Sequence, residues 1–331
     1  MKSIFRIITI TFLFAANVNG QEIKFIPQSS TQGSLIPKPI APFHGKYTSV
    51  TEAFEDDGKY YMLVNDLVNG WPTELINISL LESEDLKTWK WHEKPLLTSK
   101  DLPYNLKVPN AYATSIIKMP GGEYYMYMDI LDSDKSKGIG LAVSNNLKGP
   151  WRVREDFMLL PNKKGWDKES LAGADVIRSK EGEYLMYYMG VPDSIANGET
   201  AVCLATSKDG INWQRRSQPI VTKSSSGFDS HKVGVPKVIY DRGMYYMLYR
   251  SDSGDGSWGA DSAYGLMQSK DGLEWERMQS EPVLTEYDVS NWRTIWACGF
   301  LAINNEFHLL LEYDGPPVYG TRINHAVYKR K

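Results

Sequence analysis

A tryptophan recurs at positions 89, 151, 213 and 275, so each step along the chain is 62 residues. Three of the four sit in one local text, Ser-x-Asp-x-x-x-Trp. It reads Ser83 to Trp89, Ser207 to Trp213 and Ser269 to Trp275, and a looser copy with one extra residue runs from Ser144 to Trp151. A fixed period of this size means a supersecondary unit that cannot bury its own faces and stacks on copies of itself.

A second marker runs in phase. A turn is followed by an aromatic strand at Asp57-Gly58 to Met62, Gly121-Gly122 to Met126, Glu181-Gly182 to Met186, Arg242-Gly243 to Met247 and Asn304-Asn305 to Leu309. The Gly turn suits a hairpin because glycine takes positive φ without steric cost. Each repeat then parses into four strands. An apolar strand A is followed by the Tyr-rich strand B, strand C lies beyond a longer loop, and strand D starts at the Trp. Radial repetition of such a unit predicts an all-β, five-bladed propeller with four antiparallel strands per blade. The fifth blade has strands A to C and then the chain ends. The segment Glu22 to Pro27 is expected to supply its outer strand and so protect the last edge.

Strands alternate in direction, so the loops before A and between B and C share one face. These loops are long and non-repeating, whereas the other face has short, repeated turns; function is expected on the loop face. Strand A lines the axis. Aligned on the Gly turn, the copies place Glu52, Ser115, Asp175, Lys237 and Gly299 in one ring. Charges are rarely left buried unless paired. Lys237 either closes the channel as a salt bridge or stands beside two carboxylates that face a substrate. Glycosidic hydrolysis needs such a pair, one acting as acid and the other as base or nucleophile. Glu52, Asp175 and Asp229 are the catalytic candidates, with Asp167, Glu169, Asp252, Glu312 and Asp314 as rival loop acids. His231, Lys237, Arg250, Arg293, Trp71, Trp258 and Trp296 are candidates for holding sugar, because Arg forks match anionic groups and flat rings stack on sugar faces.

The blade text from Val235 to Met247, followed by Gly265 to Trp275, resembles the five-bladed superfamily of arabinanases, levansucrases and invertases, including glycoside hydrolase families 43, 32, 117 and 130. The resemblance implies a carbohydrate-active enzyme with an axial pocket. Family 43 opens blade 1 with His-Asp-Pro, but this sequence has Pro42-Phe43-His44-Gly45 and no Asp there. The Ala-Pro-Asp of blade 2 corresponds to Ala113-Thr114-Ser115. The resemblance therefore assigns the superfamily and not one family, and it transfers no catalytic residue. The expected function is an exported glycoside hydrolase acting on an oligosaccharide or polysaccharide, acidic sugars included. A non-catalytic carbohydrate-binding propeller and a family-130-like phosphorylase are the alternatives. No cofactor is required, and an axial calcium is compatible with the fold.

The totals agree with this reading. A net charge of −3 gives no basic surface for nucleic acid. Lys2 and Arg6, the apolar run Ile7 to Ala16, and small residues at Val18 and Gly20 read as a signal peptide over residues 1–20, ahead of one domain over 21–331. That run is too short for a membrane anchor, so the mature protein is expected to be secreted or periplasmic. Cys203 and Cys298 lie in apolar strands and read as two buried free thiols with no zinc spacing. The sequence leaves the oligomeric state open.

Overall fold

The computed structural model describes residues 22–28, 35, 47–67, 76–133, 135–193, 199–252, 262–288, 294–315 and 318–330. They form five antiparallel sheets. Blade 1 holds Tyr47–Asp56, Lys59–Leu67, Ile76–Ser83 and Lys90–Trp91; blade 2 holds Pro109–Lys118, Tyr124–Asp132, Lys135–Ser144 and Arg152–Leu159. Blade 3 comprises Ser170–Arg178, Tyr184–Val191, Ala201–Ser207 and Gln214–Arg215; blade 4 comprises Lys232–Asp241, Met244–Asp252, Ser262–Ser269 and Glu276–Arg277. Blade 5 has Thr294–Ile303, Glu306–Gly315 and Val318–Lys329 from the C-terminal end of the sequence, and Ile26–Pro27 as its fourth strand.

The repeated turn is built by side chains that replace missing backbone partners. Asp85 Oδ1 accepts the N–H groups of Lys87 and Thr88, Asp209 Oδ1 those of Ile211 and Asn212, and Asp271 Oδ1 those of Leu273 and Glu274. These bonds hold each carboxylate below its ordinary pKa. The tryptophan folds back, with Trp89 Nε1 donating to Leu86 O at 3.2 Å and Trp275 Nε1 to Gly272 O at 3.1 Å.

The same turn joins neighbouring blades. Tyr127 of blade 2 donates to Gly210 O at 2.7 Å, and Tyr187 of blade 3 to Gly272 O at 2.8 Å. Their rings meet Trp213 and Trp275 edge-on at 5.9 and 5.7 Å. Gly210 and Gly272 have φ of +72° and +75°, and a Cβ there would lie 2.9 and 2.8 Å from the tyrosine oxygens. Glycine thus permits both the turn and the approach. The 62-residue period is the spacing of these blade-to-blade contacts.

Ring closure follows the expected route. Ile26 pairs with Val327 and Pro27 with Ala326. Phe25 N donates to Val283 O at 2.9 Å, and Gln279 holds both backbone groups of Ile23. The N-terminal segment is therefore fastened to blades 4 and 5 together. Phe25 is buried against the blade 5 core, with its ring 6.0 Å from Tyr328. Truncating it leaves a cavity and loosens the closure. Phe25→Ala should cost about 3–5 kcal/mol in urea unfolding, and a loss below 1 kcal/mol would mean that this segment does not hold the ring.

Every inner strand carries one register shift: between Val50 and Glu52, Ala113 and Ser115, Ala172 and Asp175, Gly234 and Lys237, and Ile295 and Cys298. A bulge re-aims the side chains that follow it. Five equivalent bulges around one axis therefore set what reaches the channel.

Candidate functional site

Just past the bulges, Lys237 Nζ lies 2.9 Å from Asp175 Oδ1 and 3.3 Å from Glu52 Oε2, and it donates to Thr114 O at 2.6 Å. Asp175 Oδ2 accepts Val238 N at 2.7 Å, and Glu52 Oε1 accepts Ala53 N at 3.0 Å. Three sequence-distant charges thus meet on the axis, each with backbone partners. Burial raises the Glu52 pKa to about 8; Lys237 opposes this and the adjacent Asp175 charge adds to it. Burial alone would lower Lys237, but the two carboxylates outweigh it and hold the ammonium charged. Glu52 and Asp175 therefore share one ammonium. The fifth ring position, Gly299, is small because a Cβ there would lie 2.4 Å from Ala53 Cβ.

The raised Glu52 pKa has a thermodynamic sign. Between pH 4.5 and about 8 the folded protein holds a proton at Glu52 that the unfolded one has lost. Stability from this group is present below pH 4.5 and is lost as the pH rises towards 8. Glu52→Gln should flatten that part of the stability–pH curve, and an unchanged slope in the variant would assign it to another group.

A second ring lies towards the loop face, and the repeat alignment of strand A did not reveal it. Counting six residues on from Lys59, Glu123, Glu183, Met244 and Glu306, which follow the short turns, gives Asn65, Asp129, Met189, Arg250 and Glu312. Each sits on the second strand of its blade and reaches the inner strand of the next. Asn65 bonds both backbone groups of Ala113, at 2.9 and 2.8 Å. Both Asp129 oxygens lie 3.0 Å from Gly173 N. Met189 packs so closely on Gly234 that a Cβ there would lie 2.6 Å from its sulfur. The Arg250 guanidinium lies 4.9 Å from the Trp296 ring centre, and Ser49 Oγ donates to Glu312 Oε2. The period of the second marker is the signal that could have found this ring from sequence.

Around it, the Tyr112 hydroxyl donates to Ser49 Oγ, which makes a relay from Tyr112 through Ser49 to Glu312. Burial drives the Tyr112 pKa far up, and the charges of Glu312 and Asp129 both add. Burial raises Asp129 to about 7, against the Gly173 bond and the more distant Lys237. Gly173 has φ +63°, a conformation that directs its N–H at this carboxyl.

This constellation of acids and hydroxyls lies towards the loop-face ends of the second strands. The family model described as glycosyl hydrolases family 43 matches residues 36–303. The protein belongs to glycosyl hydrolases family 43. It is accordingly a glycosidase with a carbohydrate substrate, and the match narrows the superfamily resemblance to one family. The structure of this family 43 protein is similar to that of a protein solved as a glycoside hydrolase, with TM-score 0.68 and 15% identity over 90% of the present sequence and 91% of the other. It is also similar to a thermostable family-43 glycoside hydrolase, with TM-score 0.63 and 18% identity over 87% and 92%, and to a glycosyl hydrolase from Bacteroides ovatus, with TM-score 0.64 and 18% identity over 92% and 93%. A sucrose-6-phosphate hydrolase of Bacillus subtilis (strain 168) is 31% identical over 99 residues, which are 30% of the present sequence and 19% of that protein.

The remaining candidates of the family 43 protein are placed as follows. Asp229 accepts Tyr249 OH at 2.9 Å and Arg277 Nε at 2.8 Å. The same clamp occurs one blade earlier, where Asp167 accepts Tyr188 OH at 3.1 Å and Arg215 Nη1 at 2.8 Å. Asp229 therefore fastens the start of blade 4 to its own second and fourth strands, apart from the axial cluster. His231 is half-buried, immediately before the inner strand of blade 4. Arg250 is buried, with Nη2 donating to Ser262 Oγ at 2.9 Å, and Trp296 is half-buried beneath it. Trp71, Trp258 and Arg293 lie outside the described residues, as do residues 1–21. Among the described residues, no group of three or more His, Cys, Asp or Glu side chains is arranged to hold a metal ion. Cys203 and Cys298 are both free and buried.

Proposed function

We propose that the protein is an exported glycoside hydrolase that cleaves at the loop-face mouth of the propeller axis, with Asp129 as proton donor and Glu312 as the second carboxylate. The supporting observation is the Asp129 carboxyl, buried and raised to about 7, in a ring whose other acid receives a hydroxyl relay. A general acid needs a pKa near the working pH, and its partner carboxylate needs an environment that differs. Asp129 sits in a backbone cradle, whereas Glu312 is met by hydroxyls, and Tyr112 stands between the two environments. Glu52 and Asp175 fit this role less well because they share one buried lysine. Trp296 and Arg250 would form one wall of the sugar site.

Asp129→Asn and Glu312→Gln should each abolish most turnover of an oligosaccharide panel while leaving the fold intact. Glu52→Gln and Asp175→Asn test the axial pair instead: near-normal turnover in the first two variants, with loss in the second two, would transfer the role to the axis. Binding without turnover in the parent protein would favour a carbohydrate-binding function. Export rests on the charged and apolar pattern of residues 1–20. N-terminal sequencing of the mature protein should begin at Gln21, and an intact Met1 would refute export through this segment.

A further inference from the structure

The axial charge cluster has a second side. From Glu52 and Asp175 a cavity of about 290 Å³ extends along the inner strands towards the short turns, away from the loop face. Its walls are Ile116, Val176, Val238 and Phe300, and its rim is formed by Glu55 and Tyr240. This volume lies at the lower limit of ligand pockets, which run from about 300 to 1,000 Å³. The lining changes along its length, with polar groups at the floor, apolar side chains around the wall, and an aromatic ring at the edge. Tyr240 is 43% exposed although its ring centre lies 4.6 Å from that of Tyr245. It is one of few large apolar side chains among the described residues to be so exposed.

We propose that this turn-face cavity is a second carbohydrate site, taking one neutral sugar ring. The floor favours a neutral occupant because its carboxylates are already met by the Lys237 ammonium, at 2.9 Å from Asp175 and 3.3 Å from Glu52. The Glu52 and Asp175 oxygens each accept one hydrogen bond from the protein, and a carboxylate oxygen has a further lone pair with which to accept from a sugar hydroxyl. At the rim, Asp241 is paired with Arg330 at 2.6 Å, so its charge is already answered. A sugar ring has one face of C–H groups and an equator of hydroxyls, which matches an apolar wall above a polar floor, with Tyr240 available to stack. The site does not rest on Asp129 or Glu312, which lie towards the opposite face.

The test uses the full protein with L-arabinose, D-xylose, D-galactose and D-fructose as probes, followed by saturation-transfer NMR and calorimetry. At least one should bind saturably in the millimolar range. Tyr240→Ala should weaken that binding at least five-fold without changing hydrolysis. Ile116→Trp should fill the cavity and abolish binding; because Tyr240 is exposed, its variant keeps the test informative if the tryptophan variant folds poorly. Asp129→Asn should leave monosaccharide binding at this site unchanged. The proposal is overturned if none of the four sugars binds, if Tyr240→Ala leaves the affinity unchanged, or if Asp129→Asn abolishes the binding.

Discussion

Lys237→Met should lower the stability of the protein by roughly 3–5 kcal/mol, the usual cost of removing one partner from a buried ion pair. For a protein of this size that corresponds to a fall in Tm of about 4–8 °C. The Lys237 ammonium bonds both Glu52 and Asp175 and also satisfies Thr114 O. Without it, Asp175 keeps the Val238 N–H but loses its counter-charge in a site shielded from water. The penalty comes from the charge left behind, so the triple variant Glu52→Gln, Asp175→Asn, Lys237→Met should regain most of the loss. Thermal unfolding of the two variants distinguishes this from a packing effect: an equal fall in both would mean that the lysine stem, and not its charge, holds the axis.

That cluster was legible in the sequence because its members occupy equivalent positions of a visible period. Blade count, strand order and the closing segment were legible for the same reason, since each rests on turn chemistry that recurs in the text. What could not be read was direction. A bulge shifts register by one residue or more, and nothing in the apolar alternation marks where it falls, so strand A alone did not show which side of the channel Glu52 and Asp175 would face. Asp129 was hidden more thoroughly. It lies inside an apolar second strand, between Met128 and Ile130, where an acid reads as the end of the strand. Its backbone partner is Gly173, 44 residues away, and only the fold brings them together. Asp229, by contrast, looked exposed to chemistry because it precedes an inner strand. The Tyr and Arg that engage it come from strands that are remote in sequence, so the clamp was not visible there.

Asp129 supplies the second large effect. If it donates the proton to the departing oxygen, kcat/KM should fall as the pH rises through about 7, because the active form is the protonated one. Asp129→Asn should remove that alkaline limb and reduce turnover by about 10²–10⁴-fold on a substrate with a poor leaving group. A nitrophenyl glycoside, whose leaving group departs without help, should lose far less. Glu312→Gln should not show this selectivity, since the second carboxylate acts on the sugar or its water whichever group departs. The contrast between the two variants assigns the roles. An equal loss on both substrates in Asp129→Asn would make Asp129 a positioning group for Gly173 and the bulge of blade 3, and the proton would have to come from another acid on the loop face.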